Sequence, residues 1–216
     1  MRHSRKTIRA SGVAAATALA VCLGAAAYAA DGRSLYKSCA ACHGPKGEGV
    51  AALNAPAIAG YPAWYMSRQL KNFAAGIRGG APGDAVGATM RAAATVLKDD
   101  AERSAVADHV ASLKLVPAKA PPPMNAARQT NGRNYFNALC SACHNSNGRG
   151  NQQLGAPRLG GVSVEYLARQ FSAFKAGRRG GHPDDKLGAQ MRAIAAMLPD
   201  AATEQDVLNY AAGLAP

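Results

Sequence analysis

Cys39-Ala40-Ala41-Cys42-His43 and Cys140-Ser141-Ala142-Cys143-His144 each gather two thiols and an imidazole within five residues. Thiols three apart can share a zinc ion, act as a redox dithiol, or add across the two vinyl groups on one edge of a haem. Only the last chemistry employs the histidine as well, which then falls beneath the ring and ligates the iron. A zinc site joining the two pairs would have to bridge 101 residues and would leave both histidines idle. A thioredoxin-like dithiol wants a βαβ context, which is missing, and a structural disulfide between cysteines three apart is uncommon. The residues therefore predict two covalently attached haem c groups. Cys39, Cys42, Cys140 and Cys143 are the attachment points, and His43 and His144 are iron ligands.

A second iron ligand follows from an internal repeat. Residues 39–113 slide onto 140–214 without a gap and give 33 identities in 75 positions. Among the six methionines, Met1 is the initiator and Met124 lies between the copies, whereas Met66 aligns with Leu167 and Met197 with Val96. Met90 and Met191 alone are paired, each 47 residues beyond its histidine, in the contexts GATMRAAA and GAQMRAIA. A lone methionine on an apolar helix face is ordinary core filling, but the shared register points to ligation by both. His109 and His182 align with Tyr210 and Ala81, so neither is a paired ligand. Histidine–methionine ligation fills both axial positions and raises the reduction potential, which suits single-electron transfer rather than oxygen or peroxide chemistry.

The chain ends and composition fix the setting. Arg2, Arg5, Lys6 and Arg9 precede an apolar run from Val13 to Ala27, and Ala27-Tyr28-Ala29 is a small-x-small cleavage site. That order reads as a secretory signal peptide over 1–30, cleaved near Ala29 or Ala30, with delivery to the periplasm. The run is short for a membrane span, so a retained anchor is the lesser alternative. Cys22 leaves with the leader, and the four remaining cysteines all belong to the two motifs. Net charge is +12. Taking the four leader cations from 25 basic residues leaves 21 against 13 acidic ones, or +8. In an exported protein that balance favours acidic protein partners or anionic surfaces over nucleic acid.

Elements must hold these groups in place. Each half reads as helices joined by Gly-rich loops, with little strand-like alternation. A lead-in helix runs from Gly32 to Cys42. The matching offset falls to 100 upstream of the second motif, which predicts a second lead-in helix one residue longer. Pro62 and Ser163 open helices carrying Tyr65, Leu70 and Phe73 and their counterparts, closed by Gly76 and Gly177. A third apolar segment follows each paired methionine, and a last helix covers about Glu102–Leu113 and Thr203–Leu214. VPAKAPPPM, from Val116 to Met124, reads as a stiff connector. The expected organisation is a signal peptide at 1–30, one domain at 31–115, a linker at 116–124 and a second domain at 125–216. About 90 residues with few aromatics make a thin core, which a large buried apolar cofactor would complete.

On the two CxxCH motifs, the Gly32 and Gly132 lead-in helices, and the segments AGIRGG…GATMRAAATVL and AGRRGG…GAQMRAIAAML, the chain resembles the cytochrome c4 family of di-haem c-type cytochromes over 31–216. The resemblance implies an all-α protein of two tandem class I-like cytochrome c domains, each wrapped round one haem, with the haems approaching across the domain interface. It implies that the carbonyls of Pro56 and Pro157 hold the two histidine rings. Arg91 and Arg192, beside the methionines, are candidates for haem propionates, for a partner's acids or for plain solvation. The function expected is a soluble carrier of single electrons between a respiratory donor and a terminal oxidase or reductase, a membrane complex being one such partner. An electron-accepting subunit of a periplasmic dehydrogenase is the alternative. A di-haem peroxidase, which needs one open iron, fits the symmetric Met90/Met191 pairing less well.

Overall fold

The computed structural model describes residue 1 and residues 31–216. The leader reading, with Cys22 and cleavage near Ala29 or Ala30, lies outside the described residues. Among the described residues there is no strand, only the isolated bridges Val50–Ala55 and Asn151–Ala156. None of their helices is long and apolar enough to cross a membrane.

The N-terminal half contains α1 (Gly32–His43), α2 (Ala63–Ala74), α3 (Ala85–Ala94) and α4 (Asp100–Ser112). Three of its helices start on side-chain caps, with Asp31 accepting from Arg33 N, Asp84 from Gly87 N and Asp99 from Glu102 N, while α2 opens after Pro62 without one. The first and last helices cross at Gly32, where any Cβ would run into the carbonyl of Ala105. Tyr36, Leu70, Phe73, Leu97, Val106 and Val110 form the buried core between them.

Residues 113–125 contain no helix, and the second half then repeats the plan. It comprises α5 (Ala126–Tyr135), a π-helical turn (Phe136–Cys140), α6 (Ser141–His144), α7 (Val164–Lys175), α8 (Lys186–Ala195) and α9 (Ala201–Gly213). Gly132 meets the carbonyl of Asp206 as Gly32 meets Ala105. The π turn is where the repeat offset changes from 100 to 101. Phe136 still matches Tyr36, but three residues rather than two separate it from the first cysteine. The extra residue is absorbed as a local widening of the helix, which keeps both Gly132 and Cys140 in place.

Two expectations are adjusted. The third helix of each half does not follow the paired methionine but contains it, because Asp84 and Asp185 cap helices that begin five residues before Met90 and Met191. The second lead-in helix starts at Ala126, well before Gly132, under a cap from Asn125. Its added first turns are tied to α9, where Asp206 takes hydrogen bonds from Arg128 Nε at 2.6 Å and Asn131 Nδ2 at 3.1 Å.

The halves dock through α2 and α7 and the loops around them. Tyr61 and Tyr65 belong to the first half by sequence, yet they are buried in the core cluster of the second, with Phe136, Leu167 and Phe171. The guanidinium of Arg158 lies 4.6 Å from the centre of the Tyr61 ring. The connector is pinned to the second half by Ala118 N donating to Gly161 O at 2.9 Å.

Candidate functional site

The end of α1 delivers Cys39, Cys42 and His43 to one corner of the first half. Cys42 is exposed, Cys39 half-buried and His43 buried. In the second half Cys143, Cys140 and His144 show the same order of burial. Burial pushes the thiol of Cys39 up, and that of Cys140 to about 11. The two cysteine pairs stay in their own halves: among the described residues no group of three or more His, Cys, Asp or Glu gathers to hold a metal ion. That arrangement gives no support to a zinc site shared between the pairs.

Each histidine is oriented by the loop that follows its motif. Nδ1 of His43 lies 2.9 Å from Pro56 O, and Nδ1 of His144 lies 2.8 Å from Pro157 O. A carbonyl can only accept, so Nδ1 carries the proton in both rings and Nε2 keeps a free lone pair. Burial lowers both histidine pKa values, with the proline carbonyls acting in the opposite sense, so both rings are neutral at pH 7. The loops are closed by the Val50–Ala55 and Asn151–Ala156 bridges, which lead straight into the two prolines.

The third helix brings a thioether to face the imidazole. Nε2 of His43 stands 3.4 Å from Sδ of Met90. With Nδ1 already protonated, no proton bridges this contact, and two electron-pair donors converge on one point. That is the donor set of a soft or borderline metal ion such as haem iron. In the second half, His144 and Met191 line one cavity of about 480 Å³ together with Cys140, Cys143, Phe171, Phe174 and Leu208. The volume falls within the range of about 300–1,000 Å³ usual for cofactor sites. Its mouth carries the exposed side chains of Leu154 and Met197.

The loop before each third helix positions the methionine. Gly79 and Gly180 have φ of +76° and +70°, and any Cβ there would strike the carbonyl of Gly87 or Gly188. That close approach seats the RGG loop on the first turn of the methionine helix. Asp185 reinforces it by accepting from both Gly180 N and Gly188 N.

The arginine of each RGG turns inward. Arg78 is buried, donates to Gln69 Oε1 at 2.6 Å, and crosses the interface to Gln170 Oε1 at 2.8 Å. Arg179 reciprocates, donating to Gln170 Oε1 at 2.8 Å and to Gln69 Oε1 at 3.4 Å. Each guanidinium stacks on a phenylalanine of its own half, Phe73 or Phe174. Two positive charges thus share neutral amide acceptors, and Nε of Arg179 is buried without a partner. Burial pushes the phenol of Tyr166 up, but Arg78 and Arg179 outweigh it and hold the group below its ordinary value. Both arginines border the cavity, with Asp185 the carboxylate on the same lining, so the site offers a cationic edge beside an apolar slot. An apolar macrocycle with peripheral carboxylates fits that combination.

All the sequence-predicted groups therefore come together within their own halves, Cys, His, Pro and Met alike. Arg91 and Arg192 do not join them. Both are exposed, lying beside Gly76 and Gly177. The cations that turn inward beside the cavity are Arg78, which is buried, and Arg179, which is half-buried; their signal is the RGG triplet common to both copies. The other missed pair is Arg68 and Arg169, also identical in the repeat, which reach across the interface to backbone carbonyls.

The cytochrome c family model matches residues 29–114 and again 129–212. The chain is 33% identical over 180 residues to cytochrome c4 of Azotobacter vinelandii, covering 81% of this chain and 83% of that one. It is also 33% identical, over 196 residues, to a thiosulfate dehydrogenase electron acceptor of Stutzerimonas stutzeri, covering 81% and 84%. Among solved structures, reduced recombinant cytochrome c4 from Pseudomonas stutzeri superposes with a TM-score of 0.67 at 31% identity, covering 85% of this chain and 96% of that one.

Proposed function

Because the chain belongs to the cytochrome c family, as a di-haem member of its cytochrome c4 group, we propose that it is an exported carrier of single electrons between a respiratory donor and a terminal oxidase or reductase. It carries two covalently attached haem c groups in two tandem cytochrome c domains. When bound, each haem supplies an iron that alternates between the ferric and ferrous states.

The protein's own residues set how that alternation is used. Cys39 and Cys42 hold one haem, Cys140 and Cys143 the other. His43 and Met90 would hold the first iron, and His144 and Met191 the second. Pro56 and Pro157 fix the histidine tautomer, leaving Nε2 free to ligate. The observation that carries the reading is the 3.4 Å approach of the unprotonated Nε2 of His43 to Sδ of Met90. We place the domain limits at 31–115 and 125–216, joined by 116–124, a reading supported by the absence of helix over 113–125.

With a histidine and a methionine available to hold each iron, a bound haem would supply single-electron chemistry rather than an open site for peroxide, and the role we assign is electron transfer. Electrons enter and leave where Cys42 and Cys143 are exposed, beside the apolar rim of Leu154 and Met197 in the second domain. The net +8 of the exported chain selects redox partners with acidic docking surfaces. A second reading is favoured by the thiosulfate dehydrogenase electron acceptor among the relatives: the same chain serving as the electron outlet of an exported dehydrogenase.

Redox titration of the purified holoprotein, followed by exposure of the ferrous form to carbon monoxide, tests the proposal. Two one-electron steps with no spectral change on adding carbon monoxide are expected. Carbon monoxide binding at neutral pH to either haem would place the protein with the di-haem enzymes. Reduction kinetics with candidate donors, slowing as salt is added, then separate a diffusing carrier from a tightly bound subunit.

A further inference from the structure

Arg68 lies on α2 of the first domain, but its guanidinium ends on the second. One Nη donates to Gly155 O at 2.6 Å. It is preset by its own helix, lying 5.2 Å from the centre of the Trp64 ring and 5.5 Å from that of Tyr65. Gly155 stands in the loop between the CxxCH of the second domain and Pro157, directly before the bridge residue Ala156. The loop also has to make room. Gly155 has φ of +65°, and a Cβ there would lie 2.6 Å from the other Nη of Arg68 and 2.7 Å from Leu187.

The repeat places an identical arm on the opposite side. Arg169 on α7 donates to Asn54 O, in the matching loop of the first domain, at 3.4 Å. Asn54 holds the same left-handed backbone conformation as Gly155, with φ of 56°, but carries a side chain. The reciprocal contact is longer and exposed, and Arg169 lies 5.9 Å from its aromatic neighbour Tyr166. The two arms are thus equivalent in sequence and unequal in grip.

We propose that Arg68 is a positioning residue for the histidine of the other domain: it clamps the 151–157 loop through Gly155 O and so holds the Pro157 carbonyl against Nδ1 of His144. The inference rests on the assignment of His144 and Met191 as iron ligands. A firm Nδ1–H···O=C bond makes the imidazole a more basic ligand, which favours the ferric state and lowers the potential. Docking of the N-terminal domain therefore depresses the C-terminal haem's potential through Arg68. Arg169 does the same, more weakly, to the N-terminal haem through Asn54 and Pro56. Each domain tunes its partner's iron rather than its own, and the inequality of the two arms separates two otherwise similar sites.

The test uses the exported holoprotein. Arg68→Lys keeps the charge but removes the planar fork and its stacking. Gly155→Asn copies the first domain's residue at a backbone conformation asparagine tolerates, and displaces the Arg68 tip. Potentials are read for each haem separately, assigned by the shifted axial-methionine methyl signals in proton NMR. Both variants are expected to raise the C-terminal potential and leave the N-terminal one in place, with faster exchange of the His144 Nδ1 proton. Arg169→Lys is expected to move only the N-terminal haem, and by less. If the iron–methionine band persists in both domains while the C-terminal potential stays put, or if Arg68→Lys moves the N-terminal haem instead, the clamp is wrong and the ligand assignment stands. A wild-type protein lacking that band for the C-terminal haem would overturn the assignment and the clamp together.

Discussion

Arg78 of the first domain donates to Gln170 of the second at 2.8 Å, and Arg179 accompanies it on the same amide oxygen. Two guanidiniums from symmetry-related positions thus meet at the interface without a carboxylate in hydrogen-bonding range. Burying like charges together is costly unless something anionic answers them, and the carboxylates of the two haems have the chemistry to do so. On this account the interface and the cofactor sites stabilise one another.

Replacing Arg78 by Gln removes one of these charges and one of the two donors on each of Gln69 and Gln170. Chemical denaturation of the holoprotein should show a loss of about 1 kcal/mol, because Arg179 still donates to Gln170 and, at longer range, to Gln69. Loss of a positive charge near both sites should also lower both reduction potentials. A variant with unchanged potentials would detach this cluster from the cofactors.

Gly180→Ala tests the seating of the methionine helix. The new Cβ meets the Gly188 carbonyl in a left-handed conformation, so strain of about 1–3 kcal/mol is expected before any clash is counted. The consequence should be local: thermal stability falls, and the C-terminal haem's methionine signal weakens while the N-terminal one is retained.

Tyr36 gives a pH signature. It is buried, donates to Gly44 O at 2.8 Å, and burial first of all raises its pKa to about 12 from an ordinary 10. The folded form therefore binds this proton more tightly than the unfolded one. Its contribution is complete below pH 10 and is lost as pH rises through about 12. Tyr36→Phe, which copies Phe136 of the second domain, should cost about 1 kcal/mol at pH 7. Stability measured in urea from pH 9 to 12 should fall less steeply for the variant than for the wild type. Parallel curves would show that Tyr36 does not titrate in this way.

The π turn is a one-residue insertion that the fold tolerates, and the first domain does without it. Deleting Ala138 restores the first domain's spacing between Phe136 and Cys140. The shortened protein should fold and retain two haems through denaturation, as mass spectrometry would register. Loss of the second haem would mean that the widened turn is required for attachment.

The two halves of the account were unequally legible in the chain. The cysteines and histidines of the two CxxCH motifs are local in sequence, and the pairing of Met90 with Met191 is visible because duplication exposes a shared register. The offset slip before Cys140 was visible as well, but a change of offset cannot distinguish a longer helix from a widened one. The helix around each methionine begins earlier than the apolar pattern alone suggests, because Asp84 and Asp185 cap it ahead of the apolar segment. The interface was silent for a physical reason. Arg68, Gln69, Arg78 and their counterparts are identical in both copies, yet their partners lie in the other domain, about 90 residues away. Periodicity reports which face of a helix is apolar, and says nothing of what that face meets.

The most direct test is the iron–methionine charge-transfer band of the oxidised holoprotein, recorded for wild type, Met90→Ala and Met191→Ala. Two histidine–methionine irons predict that each substitution removes about half of the band and that the double variant has none. A band that keeps its full intensity in either single variant would contradict the ligand placement on which the electron-carrier account stands.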